Sequence, residues 1–514
     1  MELSEQMRKM HQKLSQQLSA RSTASAESTE EFPVDRRNQQ LVPVLGMEKE
    51  FYLDITSDWY SKGTGTLEGI GKNDNGEPVC YVWVMGEVTA YNTNDGGVNF
   101  IEETTLTTDE TPVRGKVNRT LAQNYADAFV KIYDIERQIF GEEPTEMIYD
   151  ADTRIEDMGY LSDTAGIVNL IFFDIEHKGK GADTYGYFWS RDLLPNGEDF
   201  NKIWDAPYPD EYLIFKCSNE GNYLYINSYL SHDTGSMYDV IAHEFQHSIS
   251  CNMKGLKQDL PDEGNNLFFA EMMSVAAEDL VFMAFPEITY SSPLYLDNYI
   301  PNFQTAYLKN GLEINAAESP LFYCADTMFI NWLTRTYGVR LIKEILHNPY
   351  FDWEEILDAV KTVSGKIETQ ESLLRDFATS CFLGMDTENR GWFTSKPPVA
   401  SDDECYCASQ SYGYPLISYK LIGTNNKTTS GFQKDAADGV YNRKFPQDDD
   451  SYGNVYYKGF KIYDTNVIAN LRPYGMMMHY IGYIKDSGDA VLYFSSDTNP
   501  SSDEKMYLVV YFKK

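Results

Sequence analysis

Two histidines and a glutamate lie close together in the segment Asp239–Ile249. His243-Glu244-Phe-Gln-His247 has the spacing His-Glu-x-x-His. On a helix, residues four apart share one face, so both imidazoles can reach one ion. Glu244 is one residue farther round the helix, which places its carboxylate beside the metal rather than on it. The pattern predicts a zinc site in which Glu244 takes a proton from a zinc-bound water and passes it to a leaving amine.

A zinc site of this kind needs a third protein ligand. The extended metzincin pattern is excluded, because Ser250 and Met253 occupy the positions of its glycine and histidine. Glu271, in a second predicted helix beyond His247, is the preferred third ligand. Glu278, two turns farther along that helix, is better suited to orient a ligand histidine. Three acids stay open as alternative ligands: Asp262, Glu263 and Glu278.

Helices and strands of recognisable pattern surround the motif. Apolar residues at helical spacing predict a helix from about Val117 to Phe140, ended by Gly141. An unbroken apolar run predicts a strand at Ile167–Phe173 that is buried on both faces. Further strands are predicted at Tyr185–Trp189 and Tyr223–Asn227. The remaining predicted helices are at about 236–252, 266–283, 319–337, 339–347, 353–363 and 369–383.

The order of these elements predicts an α+β fold. We expect a zincin-type catalytic domain, a mixed sheet plus helices, at 116–400. β-Rich modules flank it at 41–115 and 401–514, and a polar tail precedes them at 1–40. The C-terminal module is predicted to be a β-sandwich with strands at Leu416–Ile422, Val455–Tyr463, Met476–Ile484, Ala490–Phe494 and Met506–Phe512.

The chain resembles the hyicolysin-type zinc metallopeptidases of bacteria, a branch of the zincins with a glutamate ligand. The similarity covers roughly 117–350. It implies a zincin fold, zinc held by His243, His247 and Glu271, and Glu244 as general base. Ala270 and Met272 depart from the family's asparagine and glycine at those positions. The segments that carry the resemblance are His243–His247, Phe268–Glu271, Ile132–Gly141, Leu170–Asp174 and Tyr323–Gly338.

The same resemblance suggests the residue that stabilises the oxyanion of the reaction. Tyr323 matches the family's tyrosine at the start of a downstream helix, although most of the 38 tyrosines are structural. His232 and His347 are the alternatives. The predicted strand Tyr185–Trp189 is either an ordinary sheet edge or an edge that pairs with an extended substrate.

Composition excludes several classes of partner. The 514 residues carry 43 Lys and Arg against 78 Asp and Glu, a net charge of −35, which disfavours nucleic acids and anionic membranes. No apolar run reaches the length of a membrane span. Seven scattered cysteines suggest no disulfide framework. The resemblance implies a secreted or cell-surface protein whose export signal has been removed; a cytoplasmic protein is the alternative.

The sequence therefore predicts a zinc-dependent endopeptidase that acts on protein or peptide substrates. The alternative is a surface adhesin or binding protein built on an inactive zincin scaffold. An intact Glu244 favours the enzyme, because a structural zinc site does not need it. The acidic loop Asp448-Asp449-Asp450 is a weak candidate for calcium, and a solvated loop is the simpler interpretation. The oligomeric state stays open.

Overall fold

The computed structural model shows helices packed on a mixed β-sheet. The predicted tail at 1–40 lies outside the described residues. Those residues are 43–55, 59–93, 100–106, 117–145, 167–175, 184–193, 217–228, 234–256, 267–281, 285, 322–383, 419–420, 431–434, 441–444, 462–463 and 478–479.

Seven of the described strands form one sheet in the order β1-β2-β3-β5-β7-β6, with β4 paired to β3. Their bounds are Glu48–Ile55 (β1), Trp59–Lys72 (β2), Pro78–Thr93 (β3), Phe100–Leu106 (β4), Val168–Phe173 (β5), Gly186–Phe188 (β6) and Asn222–Asn227 (β7). The pairs β3/β5 and β5/β7 are parallel, and all other pairs in this sheet are antiparallel. The short strand β6 lies at one end of this order, beside β7.

The centre of the sheet is buried on both faces. Every residue of β5 and β7 is buried. Because side chains alternate along a strand, Leu170 and Phe172 join the core under the helices. Ile171 and Phe173 join a second core on the opposite face, with Phe51 of β1. The prediction of a central strand buried on both faces is confirmed.

The predicted helices are present with bounds close to those expected. None of the described helices is both long and apolar enough to cross a membrane. The helices are Arg119–Ile139 (α1), Thr234–Ser250 (α2), Leu267–Val281 (α3), Phe322–Tyr337 (α4), Arg340–His347 (α5), Asp352–Ser364 (α6) and Gln370–Leu383 (α7). A π-helical turn, Cys251–Leu256, continues α2.

Helix α1 is capped at its start by Asn118 and ended by Gly141, the residue predicted to end it. The Asn118 side chain accepts a hydrogen bond from the Leu121 backbone N–H at 3.0 Å, which caps the first turn. Gly141 follows the last turn with φ of 128°, a conformation that favours glycine. A Cβ atom at Gly141 would lie 2.8 Å from Sδ of Met253. The close contact fixes the end of α1 against the π-helical turn.

The α+β fold class is confirmed by this arrangement. The strands predicted as an N-terminal module belong to the sheet of the predicted catalytic domain, because Cys80 of β3 pairs with Val168 of β5. The predicted boundary near residue 115 therefore falls within one sheet.

The C-terminal region contributes five short strands to the described residues. They form a three-stranded sheet and a parallel pair. The β-sandwich stays a prediction, and the strands predicted at Ala490–Phe494 and Met506–Phe512 lie outside the described residues. The five strands are Tyr419–Lys420 (β8), Gly431–Lys434 (β9), Tyr441–Lys444 (β10), Ile462–Tyr463 (β11) and Met478–His479 (β12).

Candidate metal centre

Helix α2 is held between α1, α3 and the sheet by its apolar side. Ile241 and Phe245 are fully buried. The Phe245 ring packs 5.0 Å from the Phe129 ring and 5.7 Å from the Tyr133 ring, both of α1. This packing fixes the rotation of α2 about its axis, so the histidine face turns towards α3.

Helix α3 brings Glu271 to both histidines of the motif. Its Oε2 atom lies 3.0 Å from Nε2 of His243 and 3.5 Å from Nε2 of His247. One ligand atom from each of the three residues lies within 4.8 Å of the others. Tetrahedral zinc with bonds of about 2.1 Å separates its ligand atoms by about 3.4 Å. The spacing and the donor types therefore fit a zinc ion.

Each histidine also has a hydrogen-bond partner besides Glu271. Nδ1 of His243 lies 2.8 Å from Oε1 of Glu278, and Nδ1 of His247 lies 3.1 Å from Oγ of Ser274. The Ser274 hydroxyl donates to Oε1 of Gln246 at 2.8 Å. Oγ of Ser274 also lies 3.3 Å from Nε2 of His247, so this contact does not select one nitrogen of that ring. With Nδ1 of His243 protonated and donating to Glu278, Nε2 of His243 is left as a metal ligand. Such partners fix the tautomer and the ring orientation of ligand histidines.

The centre holds more acidic than basic groups. Five buried carboxyl groups interact electrostatically with His243. Among the described residues they come from α1, α2, α3 and α4, and His247 interacts with two of them as well. Burying so many like charges is costly unless a cation or protons compensate them. The composition of the site therefore favours a divalent cation. The five acids are Glu136, Glu244, Glu271, Glu278 and Asp326.

The acids respond differently to this environment. Burial would raise the pKa of Glu271, but the imidazoles of His247 and His243 hold it well below its usual range. Burial raises the pKa of Glu244, and the charge of Glu271 raises it further, while the two imidazoles and the Phe188 backbone N–H oppose the rise. Glu271 is therefore a carboxylate at neutral pH, as a metal ligand must be, and Glu244 is a stronger base than an exposed glutamate.

Strand β6 covers Glu244 from the side of the sheet. The Phe188 backbone N–H donates a hydrogen bond to the Glu244 carboxylate. Gly186 allows this approach, since a Cβ atom there would lie 2.8 Å from Cγ1 of Val240 and 3.1 Å from Cγ of Glu244. The glycine thus lets the strand lie directly against α2. Glu244 itself is not among the clustered metal-ligand atoms.

The structure thus brings together five residues singled out in the sequence: His243, Glu244, His247, Glu271 and Glu278. Tyr323 lies in the first turn of α4, but its side chain is outside the described residues. His347 is exposed at the end of α5. The other candidates lie outside the described residues: Asp262, Glu263, His232 and the Asp448–Asp450 loop.

Ser274, Glu136 and Asp326 are residues of the centre that the sequence analysis missed. Ser274 lies three residues after Glu271, so helical spacing alone could have placed it on the ligand's face. Glu136 in α1 and Asp326 in α4 are fully buried acids. Since acids are seldom buried, composition gave no reason to select them.

Comparison with known proteins supports a metalloprotease. No protein-family model matches the chain. The chain is 25% identical over 268 residues to the neutral metalloprotease ShpI of Staphylococcus hyicus. The alignment covers 49% of this chain and 51% of that protein, so the chain spans about half the length of the relative it matches. The chain is thus similar to a metalloprotease and carries a cluster of His243, His247 and Glu271 that could hold a metal ion.

Proposed function

We propose that this protein is a zinc-dependent endopeptidase of the hyicolysin type. The observation that carries the proposal is the geometry of the cluster: His243, His247 and Glu271 converge on one point, and Glu244 stands beside them without joining them. A structural zinc site would have no use for a buried, unligated glutamate at that place. The similarity to a neutral metalloprotease supports the same reaction class.

The three clustered residues would hold the zinc ion. When bound, zinc supplies a Lewis acid that polarises the peptide carbonyl and activates water. The Glu244 carboxylate accepts a proton from the attacking water and gives it to the nitrogen that leaves. One water is consumed for each peptide bond, with hydroxyl added to the carbonyl carbon and hydrogen to the amine. The raised pKa of Glu244 suits a group that must both take and return a proton.

One further residue and one strand have roles in the proposed reaction. Tyr323 donates a hydrogen bond to the oxyanion, as the family resemblance implies. Strand β6 pairs with an extended peptide at the end of the sheet, next to Glu244. A substrate bound along β6 would run past the metal centre. We expect the substrates to be proteins or peptides and the protein to be secreted or displayed on the cell surface. The family resemblance supports both expectations.

The test is zinc content by elemental analysis together with cleavage of unfolded casein. We expect one zinc per chain and cleavage that a chelator abolishes in the wild type. Glu244→Gln should keep the zinc and lose cleavage, and Tyr323→Phe should keep the zinc and cleave more slowly. Glu344→Gln is a matched control, since this acid hydrogen-bonds Arg340 of its own helix at 3.2 Å. We expect it to behave as the wild type.

The outcomes separate the alternatives. Cleavage by Glu244→Gln at the wild-type rate would refute the role of Glu244. One zinc without cleavage by any variant, over a broad set of unfolded substrates, would favour a binding protein on an inactive scaffold. A chain without zinc would remove the basis of the proposal.

A further inference from the structure

Strand β6 directs half of its backbone groups to β7 and half to its outer edge. It pairs antiparallel with β7, and among the strands that the structure describes it pairs with no other. The Asn227 N–H of β7 donates to the Tyr185 carbonyl at 2.8 Å, which continues this register by one residue. Residues bonded to the neighbouring strand alternate in an antiparallel pair, so Tyr187 also bonds to β7. Gly186 and Phe188 therefore direct their N–H and C=O groups to the outer edge.

The contacts of Glu244 agree with this assignment. The Phe188 N–H donates to the Glu244 carboxylate, and a Cβ atom at Gly186 would lie 3.1 Å from Cγ of Glu244. The Glu244 carboxylate therefore lies at the outer edge of β6, on the side of the helices. A peptide that pairs with this edge passes directly beside the carboxylate, and the backbone groups of Gly186 and the Phe188 carbonyl are its hydrogen-bond partners.

The side chains of β6 and of its two flanking residues divide between the faces of the sheet. Phe188 packs against the core under the helices. Tyr187 and Trp189 pack against the second core, on the opposite face. Because side chains alternate along an extended chain, Tyr185 shares that opposite face. Tyr185, Tyr187 and Trp189 thus form an aromatic row along the outer edge, on the face turned away from α2.

The aromatic row is held in place at its centre and is open at its start. The Tyr187 ring stacks on the Tyr225 ring of β7 at 4.5 Å and meets the Trp189 ring edge-on at 6.0 Å. Tyr187 and Trp189 are half-buried, whereas Tyr185 is 47% exposed. The row therefore presents fixed aromatic surface that a strand added beside β6 would cover.

We propose that the aromatic row sets the specificity of the enzyme, which cleaves extended peptides whose side chains facing the row are large and apolar. The inference rests on the proposed function, because it takes β6 as the strand that pairs with the substrate. Side chains that share a face on adjacent strands have Cβ atoms about 5 Å apart, and an aromatic ring there stabilises an apolar or aromatic neighbour. Since the period of a strand is two residues, the preference recurs at every second position of the substrate. The positions between them face α2 and the metal centre.

The test measures cleavage by the full chain of unfolded peptides that differ at one position. A peptide library is digested, and mass spectrometry of the products gives the residue preference at each position around the cleaved bond. Matched peptides with leucine or serine at the preferred positions then give kcat/KM. The variants are Tyr185→Ser and Tyr185→Phe. Tyr350→Ser is the matched control, since Tyr350 is a tyrosine of similar exposure, 41%, between α5 and α6.

We expect the wild type to prefer large apolar residues at alternate positions. Tyr185→Ser should lower the leucine-to-serine ratio of kcat/KM about two- to fivefold at one of these positions, the contribution of a cross-strand aromatic pair. Tyr185→Phe keeps the ring and should keep the ratio, as should Tyr350→Ser. All three variants should hold zinc and unfold at the wild-type temperature, because both tyrosines are exposed.

Three results would overturn the inference. A wild type without an apolar preference at alternate positions would show that the aromatic row does not face the substrate. An unchanged ratio in Tyr185→Ser, with or without an equal loss of activity on both peptides, would show that this ring does not select side chains. An equal fall of the ratio in Tyr350→Ser would show an effect unrelated to β6. Failure of the proposed function looks different, because a wild type that binds no zinc and cleaves no peptide yields no ratio at all.

Discussion

Replacing Glu278 should weaken zinc binding, although Glu278 is not a clustered metal ligand. Its Oε1 lies 2.8 Å from Nδ1 of His243, and Nε2 of the same ring faces Glu271. Loss of such a partner costs roughly 10- to 100-fold in metal affinity. Since tenfold equals about 1.4 kcal/mol, we expect Glu278→Leu to cost about 1.4–2.8 kcal/mol of zinc-binding free energy. Glu278→Gln keeps an acceptor oxygen and should lie at or below the lower end of that range.

The assay is titration of the metal-free protein with zinc in the presence of a competing chromophoric chelator, at one pH. Glu136→Gln is the matched control. Glu136 is also fully buried and interacts electrostatically with His243. Its carboxylate oxygens have no hydrogen-bond partner in the described part of the chain. Glu136→Gln therefore replaces a buried acid near His243 without removing a hydrogen bond, and we expect a much smaller change in zinc affinity.

Two results would refute this reasoning. Unchanged zinc affinity in Glu278→Leu would show that the hydrogen bond to His243 does not orient the ring for the metal. Equal losses in Glu278→Gln and Glu136→Gln would show that the total negative charge around His243 sets the affinity. In that case the contact at 2.8 Å would be incidental to metal binding.

Two further predictions concern stability and catalysis. Burial raises the pKa of Glu355 to about 7, although Lys254 lies 3.2 Å away and opposes the rise. Because the folded protein holds this proton more tightly than the unfolded chain, Glu355 stabilises the fold fully below pH 4.5, and this stabilisation is lost as the pH rises through 7. The raised pKa corresponds to about 3 kcal/mol of unfolding free energy. Between pH 4.5 and 7, the unfolding free energy measured in urea should therefore fall less for Glu355→Gln than for the wild type. Parallel curves of unfolding free energy against pH for the two proteins would contradict this prediction. Gly186→Ala adds a Cβ 3.1 Å from Cγ of Glu244, which pushes the Glu244 side chain by a few tenths of an ångström. Casein cleavage should fall, by less than the roughly 100-fold of a 1 Å misplacement, with zinc content unchanged. Wild-type cleavage would show that β6 can move freely.

Local patterns were sufficient to predict the elements that carry the site. The apolar run at Ile167–Phe173 predicted the central strand Val168–Phe173, and Gly141 marked the end of α1. These features depend on neighbours within a few residues. The predicted boundary near residue 115 depended on long-range strand pairing. The parallel pairing of β3 with β5 joins segments that lie far apart in the chain. A run of antiparallel strands looks the same in sequence whether it ends a module or extends a larger sheet.

The third ligand shows the same limit at the level of one residue. The His-Glu-x-x-His motif fixes two ligands through helix geometry alone. The third depends on how α3 packs against α2, and a loop separates the two helices. Several acids lay within reach in the sequence. The structure brings Glu271 to both histidines and sends Glu278, two turns later, to the far side of His243.

The buried acids Glu136 and Asp326 left a trace in the sequence that acid content alone does not reveal. Glu136 stands four residues after Ile132 and three before Ile139, both fully buried, so it continues the apolar face of α1. Asp326 likewise stands three residues before the buried Phe329 of α4. An acid at such a position must enter the core with the apolar residues beside it.

Glu136 of α1 and Asp326 of α4 both interact electrostatically with His243 of α2. The pattern alone does not give such an acid its role, because Glu355 of α6 is also buried and pairs with Lys254 at 3.2 Å. The sequence therefore marks which acids enter the core, and the packing of the neighbouring helices decides whether a histidine or a lysine meets them.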